Sequence, residues 1–150
     1  MKLTGRGSSL LLLILCVLFF TNCKKQKIND YYYKVENDVL APEILPSFPV
    51  ANSTISGVSV IHIVGTVKDD ETPTRGGKLL SCTLRVNEVD GGGIVIKTLK
   101  NENLPVDGLL GFSYNKSFPA PTTNGHIYEV AIVAKDYANR TASLQYLFYY

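Results

Sequence analysis

The chain has 150 residues, of which 45% are apolar and 19% charged; this composition fits one globular domain and excludes a disordered protein. Its formal net charge is +2, but Lys2 and Arg6 lie within the first 22 residues, and the remaining residues include 13 basic and 13 acidic side chains. A neutral chain lacks the basic surface that nucleic acids need, so the sequence predicts no nucleic-acid partner.

The first 22 residues have the pattern of an export signal. Lys2 and Arg6 precede an unbroken apolar run of eleven residues, 10–20. Such a run is about half of the ~20 residues that cross a bilayer as a helix, but it matches the apolar core of a secretory signal. We therefore predict a signal peptide over 1–22 and an exported protein.

Cys23 directly follows the apolar run, in the stretch FTNCKK. This arrangement resembles the relaxed lipobox of Gram-negative bacterial lipoproteins, whose cleavage-site cysteine receives a diacylglyceryl group and becomes the new N-terminus. The usual pattern has Gly or Ala before the cysteine, where this chain has Asn22. The resemblance implies a lipid on Cys23 and attachment to a membrane, the outer membrane being the expected location. The alternatives are a secreted protein cut nearby and an uncleaved anchor.

Residues 23–40 are predicted to be the lipidated cysteine and a flexible linker. Residues 24–40 are polar and mixed in charge, with no period of 2 or 3.6. Fully extended, this stretch reaches ~55–60 Å. Tyr31, Tyr32 and Tyr33 within it have two interpretations, a stacking platform for sugar rings or an amphipathic segment that lies near the membrane or folds back onto the domain.

Residues 41–150 are predicted to form a seven-stranded immunoglobulin-like β-sandwich. Apolar residues alternate with polar ones in most of the extended segments, which is the period of half-buried strands. Pro42, Pro46 and Pro49 confine the first segment to the edge of a sheet. Turns every ~8–12 residues and a length close to ~100 residues are typical of this fold. The seven segments are 43–50, 59–67, 80–86, 94–99, 109–118, 126–135 and 141–150.

Three stretches, NDVLAPEI, VKDDE and YEVAIVAKDYANR, resemble bacterial immunoglobulin-like and fibronectin type III-like modules of surface proteins. The resemblance implies the fold and no activity.

We find no catalytic constellation in the sequence and predict that the chain is not an enzyme. His62 and His126 have no spacing typical of metal ligands, and Cys82 has no basic neighbour to activate it. Cys82 is predicted to be a small buried apolar residue, with a disulfide to Cys23 as the alternative.

Acidic residues gather at one end of the predicted sandwich. On immunoglobulin topology, the linker shares this end with the second-to-third, fourth-to-fifth and sixth-to-seventh loops. Calcium binds through six to eight oxygen atoms, largely carboxylates and carbonyls. Alternatively, Asp simply suits loops. The residues collected are Glu36, Asp38, Asp69, Asp70, Glu71, Asp107 and Asp136. The candidate calcium ligands among them are Asp69, Asp70, Glu71 and Asp136.

The sequence predicts a membrane-anchored surface lipoprotein with a non-catalytic domain that acts in adhesion, ligand presentation or scaffolding. Its expected partner is an unidentified protein or glycan, and no cofactor is predicted, with calcium as the alternative. A first alternative is a carbohydrate-binding accessory module, in which Tyr137, Tyr149 and Tyr150 are exposed. A second is a calcium-stabilised module, because ENDVLAPE resembles the calcium-binding linker of cadherin repeats.

Overall fold

A computed structural model describes residues 38–70 and 77–150, and these form seven antiparallel strands in two sheets. The predicted all-β fold is confirmed, with each predicted segment matched by one strand. The strands are β1 (Glu43–Phe48), β2 (Val60–Lys68), β3 (Leu79–Val89), β4 (Val95–Leu104), β5 (Gly111–Pro119), β6 (Ile127–Asp136) and β7 (Thr141–Tyr149). The predicted signal peptide and most of the predicted linker lie outside the described residues.

The first sheet has the order β1-β2-β5 and the second the order β4-β3-β6-β7. β1 is an edge strand, as its prolines predicted. In constant-type immunoglobulin domains the fourth strand belongs to the sheet of the first two strands. Here β4 pairs with β3 instead, over a register that runs from Cys82 opposite Leu104 to Val89 opposite Val95.

The alternating side chains of the two sheets meet in one apolar core. Along β6 the even-numbered residues Tyr128, Val130, Ile132 and Ala134 are buried. The ring of Tyr128 packs between Phe118 and Phe148, with centroid distances of 5.4 and 5.1 Å. These aromatic rings fill the space between the sheets in a chain that has no Trp.

Antiparallel pairing divides the loops between two ends of the sandwich. The chain enters at one end, where it precedes β1 and where β2 and β6 finish. We call this the proximal end. The other end, which we call the distal end, has the turns after β1, β3 and β5 and the last residue, Tyr150. The backbone of Tyr150 bonds there to that of His126 in both directions, at 2.9 and 3.1 Å.

Candidate functional site

Three aspartates converge at the proximal end. Asp38 precedes β1, Asp69 directly follows β2, and Asp136 is the last residue of β6. One carboxylate oxygen from each lies within 4.8 Å of the others. Asp38 and Asp136 have no exposed surface, and Asp69 is 8% exposed. Three segments distant in sequence therefore place three acidic groups in one buried cluster, which we call the aspartate cluster.

Each aspartate of the cluster has one carboxylate oxygen fixed by a backbone N–H group close to it in sequence. This oxygen is Oδ1 in all three cases, and the distances are those of ordinary hydrogen bonds. The donors are the N–H of Leu40 to Asp38 at 3.2 Å, of Asp70 to Asp69 at 3.0 Å and of Arg140 to Asp136 at 2.7 Å. Local backbone geometry thus sets the orientation of all three carboxylates.

The other oxygen, Oδ2, is buried and has no hydrogen-bond partner in any of the three aspartates. Buried polar atoms are nearly always hydrogen-bonded, because a buried donor or acceptor without a partner costs about 1–3 kcal/mol and a charged group costs more. Three such oxygens in one cluster are what a bound cation would satisfy.

The electrostatics of the cluster disfavour three bare negative charges. Burial raises the pKa of Asp69 to about 6, and the charges of Asp38, Asp136 and Asp70 also raise it, against the lowering effect of the Asp70 N–H. Burial also raises the pKa of Asp136, and the charge of Asp38 adds to this, against the lowering effects of the Arg140 and Ala138 N–H groups and of the Arg140 charge. Protons or a metal ion relieve this repulsion.

Arg140 is a cationic side chain beside this group, and its bonds go to the backbone. Its Nε and Nη2 donate to the carbonyl oxygen of Asp38 at 3.1 and 2.8 Å. Arg140 therefore holds the main chain at Asp38 and leaves the three Oδ2 atoms unpartnered.

A cleft of about 290 Å³ opens beside Asp69. Its rim includes Glu43 and Lys68, whose side chains pair at 3.0 Å. The cleft brings solvent to the edge of the cluster, and it is the route by which we expect an ion to reach it.

The structure brings together two of the four candidate calcium ligands, Asp69 and Asp136. Asp70 lies next to the cluster, where its N–H orients Asp69. Glu71 lies outside the described residues, as does Glu36. The third member is Asp38, which sequence reasoning placed at this end without choosing it as a ligand. Only the position of Asp38 ahead of the first strand indicated that it lies at this end, because the surrounding sequence is polar and has no strand or helix periodicity.

Asp107, also expected at this end, takes part in a different contact. The hydroxyl of Tyr137 donates to its Oδ1, outside the aspartate cluster. Asp107 is exposed and therefore provides a natural comparison for the buried aspartates.

The cysteines divide between described and undescribed residues. Cys23, the predicted lipidation site, lies outside the described residues. Cys82 is a free thiol in the core, 1% exposed, and burial raises its pKa to about 11. It is thus the small buried apolar residue that its strand pattern predicted.

A second polar group lies at the distal end. Nδ1 of His126 bonds to Oε1 of Glu88 at 2.6 Å, and its Nε2 bonds to the hydroxyl of Thr123 at 3.2 Å. This connectivity of hydroxyl, imidazole and carboxylate is the one that activates a nucleophile in hydrolases. The adjacent N–H groups of Gly125 and His126, however, both donate to the carbonyl of Tyr150, so they do not form an oxyanion hole there.

Of the tyrosines named for sugar binding, Tyr137, Tyr149 and Tyr150 are half-buried or buried, whereas Tyr31, Tyr32 and Tyr33 lie outside the described residues. Tyr150 is 9% exposed and its hydroxyl donates to the carbonyl of Val58. Tyr149 is half-buried, and so is Tyr137 with its bond to Asp107. The even-numbered residues Tyr146 and Phe148 of β7 enter the core, as the alternation predicted. The other histidine, His62, is exposed on β2 and bonds to Asn115.

These observations define a class of protein, a β-sandwich module with a buried three-carboxylate cluster where the chain enters. Searches against protein-family models, curated proteins and solved structures found no match. Over the described residues, no helix has the length and apolar character needed to cross a membrane.

Proposed function

We propose that the chain is a membrane-tethered, non-catalytic sandwich module whose proximal end binds one calcium ion. The observation that carries the proposal is the set of three buried Oδ2 atoms, each without a hydrogen-bond partner, in a cluster of three aspartates. The ion supplies the partners that these three oxygen atoms lack.

The chemistry of the donors favours calcium over other divalent ions. All three ligands are carboxylate oxygens, which suit hard cations, whereas zinc sites are built mainly from Cys and His. Magnesium requires near-ideal octahedral geometry and gives up its waters reluctantly, which a buried cluster with loop ligands accommodates less well. Backbone carbonyls and water completing the coordination are part of this proposal.

The location of the module rests on the N-terminal sequence. A basic start, a short apolar run and Cys23 support export followed by lipidation. Acyl chains contribute ~0.8 kcal/mol per buried CH₂, so more than one chain on Cys23 would hold the protein on a membrane. Mass spectrometry of the mature N-terminus tests this. We expect an acylated Cys23, and an unmodified start beyond Cys23 would refute lipidation.

Anchored in this way, the module presents its distal end away from the tether. The turns after β1, β3 and β5 then face outward, which suits adhesion, ligand presentation or scaffolding. The calcium ion has a structural role in this proposal, because it links the chain ahead of β1 and the end of β2 to the end of β6, which belongs to the other sheet.

Thermal unfolding with and without calcium tests the ion proposal. A ligand that binds only the folded state raises its melting temperature. We expect the melting temperature to rise with calcium up to 5 mM and to return on chelation, while equal magnesium has a smaller effect. No shift at millimolar calcium would contradict the proposal.

A further inference from the structure

The three aspartates differ in how firmly the rest of the domain holds them. The N–H of Asp69 donates to the carbonyl of Leu110 at 2.7 Å, and that of Asp136 donates to the carbonyl of Arg140 at 3.1 Å. Both residues thus belong to the hydrogen-bonded framework at the ends of strands. Asp38 lies five residues ahead of β1, in residues 38–42, which we call the lead-in segment.

Few contacts hold the lead-in segment. Val39 and Leu40 are 57% and 44% exposed, and the segment precedes the first residue that pairs in a sheet, Glu43. Pro42 is buried, and Arg140 binds the carbonyl of Asp38. The side chain of Asp38 is fully buried.

Without an ion, the carboxylate of Asp38 is buried beside two others of the same charge. Like charges at this separation in a poorly solvated site repel strongly. Moving Asp69 or Asp136 out of the cluster breaks backbone bonds at the ends of strands, whereas releasing Asp38 breaks the two bonds from Arg140 to its carbonyl oxygen and disturbs no strand pairing. Release of the lead-in segment is therefore the relief that leaves both sheets intact.

We infer that the calcium ion clasps Asp38 and so holds the lead-in segment, residues 38–42, against the domain. This inference rests on the proposed calcium site and adds its regulation. With the ion bound, residues 38–42 are held against the domain. Without it, the domain holds the chain from Glu43, where β1 begins. The five released residues span up to about 17 Å when fully extended.

Hydrogen exchange of the full-length protein in detergent, at pH 7.5 with calcium or with a chelator, tests the inference. The N–H of Leu40 is the most direct reporter, because it donates to Oδ1 of Asp38. We expect its exchange to slow about tenfold with calcium. Amides of β1 and of residues 120–126 at the distal end serve as internal controls and are expected to change little.

Two variants test whether repulsion between the carboxylates causes the release of the lead-in segment. Asp69→Asn keeps an oxygen for the Asp70 N–H but removes one of the three charges, so its lead-in segment is expected to exchange slowly with or without calcium. Asp107→Asn removes a charge at the same end outside the cluster and is expected to behave as wild type. Fast, calcium-independent exchange in Asp69→Asn would overturn repulsion as the cause of release.

The outcomes separate the inference from the calcium proposal. If calcium raises the melting temperature but leaves exchange of residues 38–42 unchanged, the clasp is refuted and the calcium site stands. If calcium changes neither quantity, both fall. Slower exchange confined to the lead-in segment, absent in Asp69→Asn, supports both.

Discussion

The two ends of the sandwich differ in how their acidic side chains are hydrogen-bonded. At the distal end, Glu88 bonds to His126, and His126 in turn bonds to Thr123. At the proximal end, Asp38, Asp69 and Asp136 each have one oxygen without a partner. A folded chain can satisfy its own carboxylates, as the distal end demonstrates. At the proximal end, three carboxylates that lie together each keep an oxygen without a partner, which supports the proposal of a ligand from outside the chain.

The largest expected effect is that Asp69→Asn is less stable than wild type with calcium and more stable than wild type without it. Calcium modules outside cells bind at about 0.1–1 mM, so 5 mM calcium stabilises wild type by about 1–2 kcal/mol, or roughly 4–8 °C. Asp69→Asn loses this gain, because it removes a ligand. Without calcium it melts above wild type, because one repelling charge is gone. Thermal unfolding of both proteins in both conditions measures this reversal, and a variant less stable than wild type in both would contradict it.

The pH dependence of stability is expected to reverse when calcium is added. Because the pKa of Asp69 is about 6 in the fold and near 4 when unfolded, the folded state binds more protons between these values. Ion-free protein therefore loses stability as pH rises from 4 to 6, on the order of 1–2 kcal/mol. With calcium, deprotonation favours binding, and stability rises with pH instead.

Urea unfolding at pH 5 and pH 7.5 measures both slopes of this pH dependence. Asp69→Asn is the control and should show a flatter profile without calcium. An ion-free wild type that is more stable at pH 7.5 than at pH 5 would contradict the repulsion described for the cluster.

A smaller effect is expected from Asn139, which has a φ of 65° in the turn after β6. This turn positions the N–H of Arg140 on Asp136. Asn139→Ala places an ordinary side chain in the left-handed region and costs about 1 kcal/mol, whereas Asn139→Gly is expected to be tolerated. Calcium titration should find affinity lowered a few-fold in Asn139→Ala alone. Equal calcium affinities in the two variants would show that the turn does not position the ligands of the site.

The smallest effect is expected at the distal end. Glu88→Gln weakens the bond to His126 and costs about 0.5–1 kcal/mol, since the pair is partly exposed. Its stabilisation by calcium should equal that of wild type, because the site lies at the other end. A change in the stabilisation by calcium in Glu88→Gln would contradict the claim that the distal end does not affect calcium binding.

Local patterns in the sequence predicted the fold better than the site. The period of 2 in segments such as Leu84 to Val86 marks strands directly, because alternate side chains face opposite sides of a sheet. The partner of β4 was not readable in this way, since pairing depends on the whole sandwich. Likewise, the sequence does not distinguish Asp69 from its neighbour Asp70. In the fold, the side chain of Asp69 joins the aspartate cluster, and Asp70 contributes its N–H, which donates to Asp69.

Asp38 illustrates the same limit at the site. Its neighbours predict a solvated linker, and its burial follows from contacts with Arg140 and the ends of β2 and β6, more than 30 residues away. The distal hydrogen-bond chain was equally hidden, because Glu88 precedes His126 by 38 residues.

Equilibrium dialysis of the full-length protein against calcium tests the central claim most directly. We predict about one ion per chain for wild type and for Asp107→Asn, and none for Asp69→Asn, at 5 mM calcium and pH 7.5. Wild type that binds no calcium under these conditions, or Asp69→Asn that binds as well as wild type, would contradict the account.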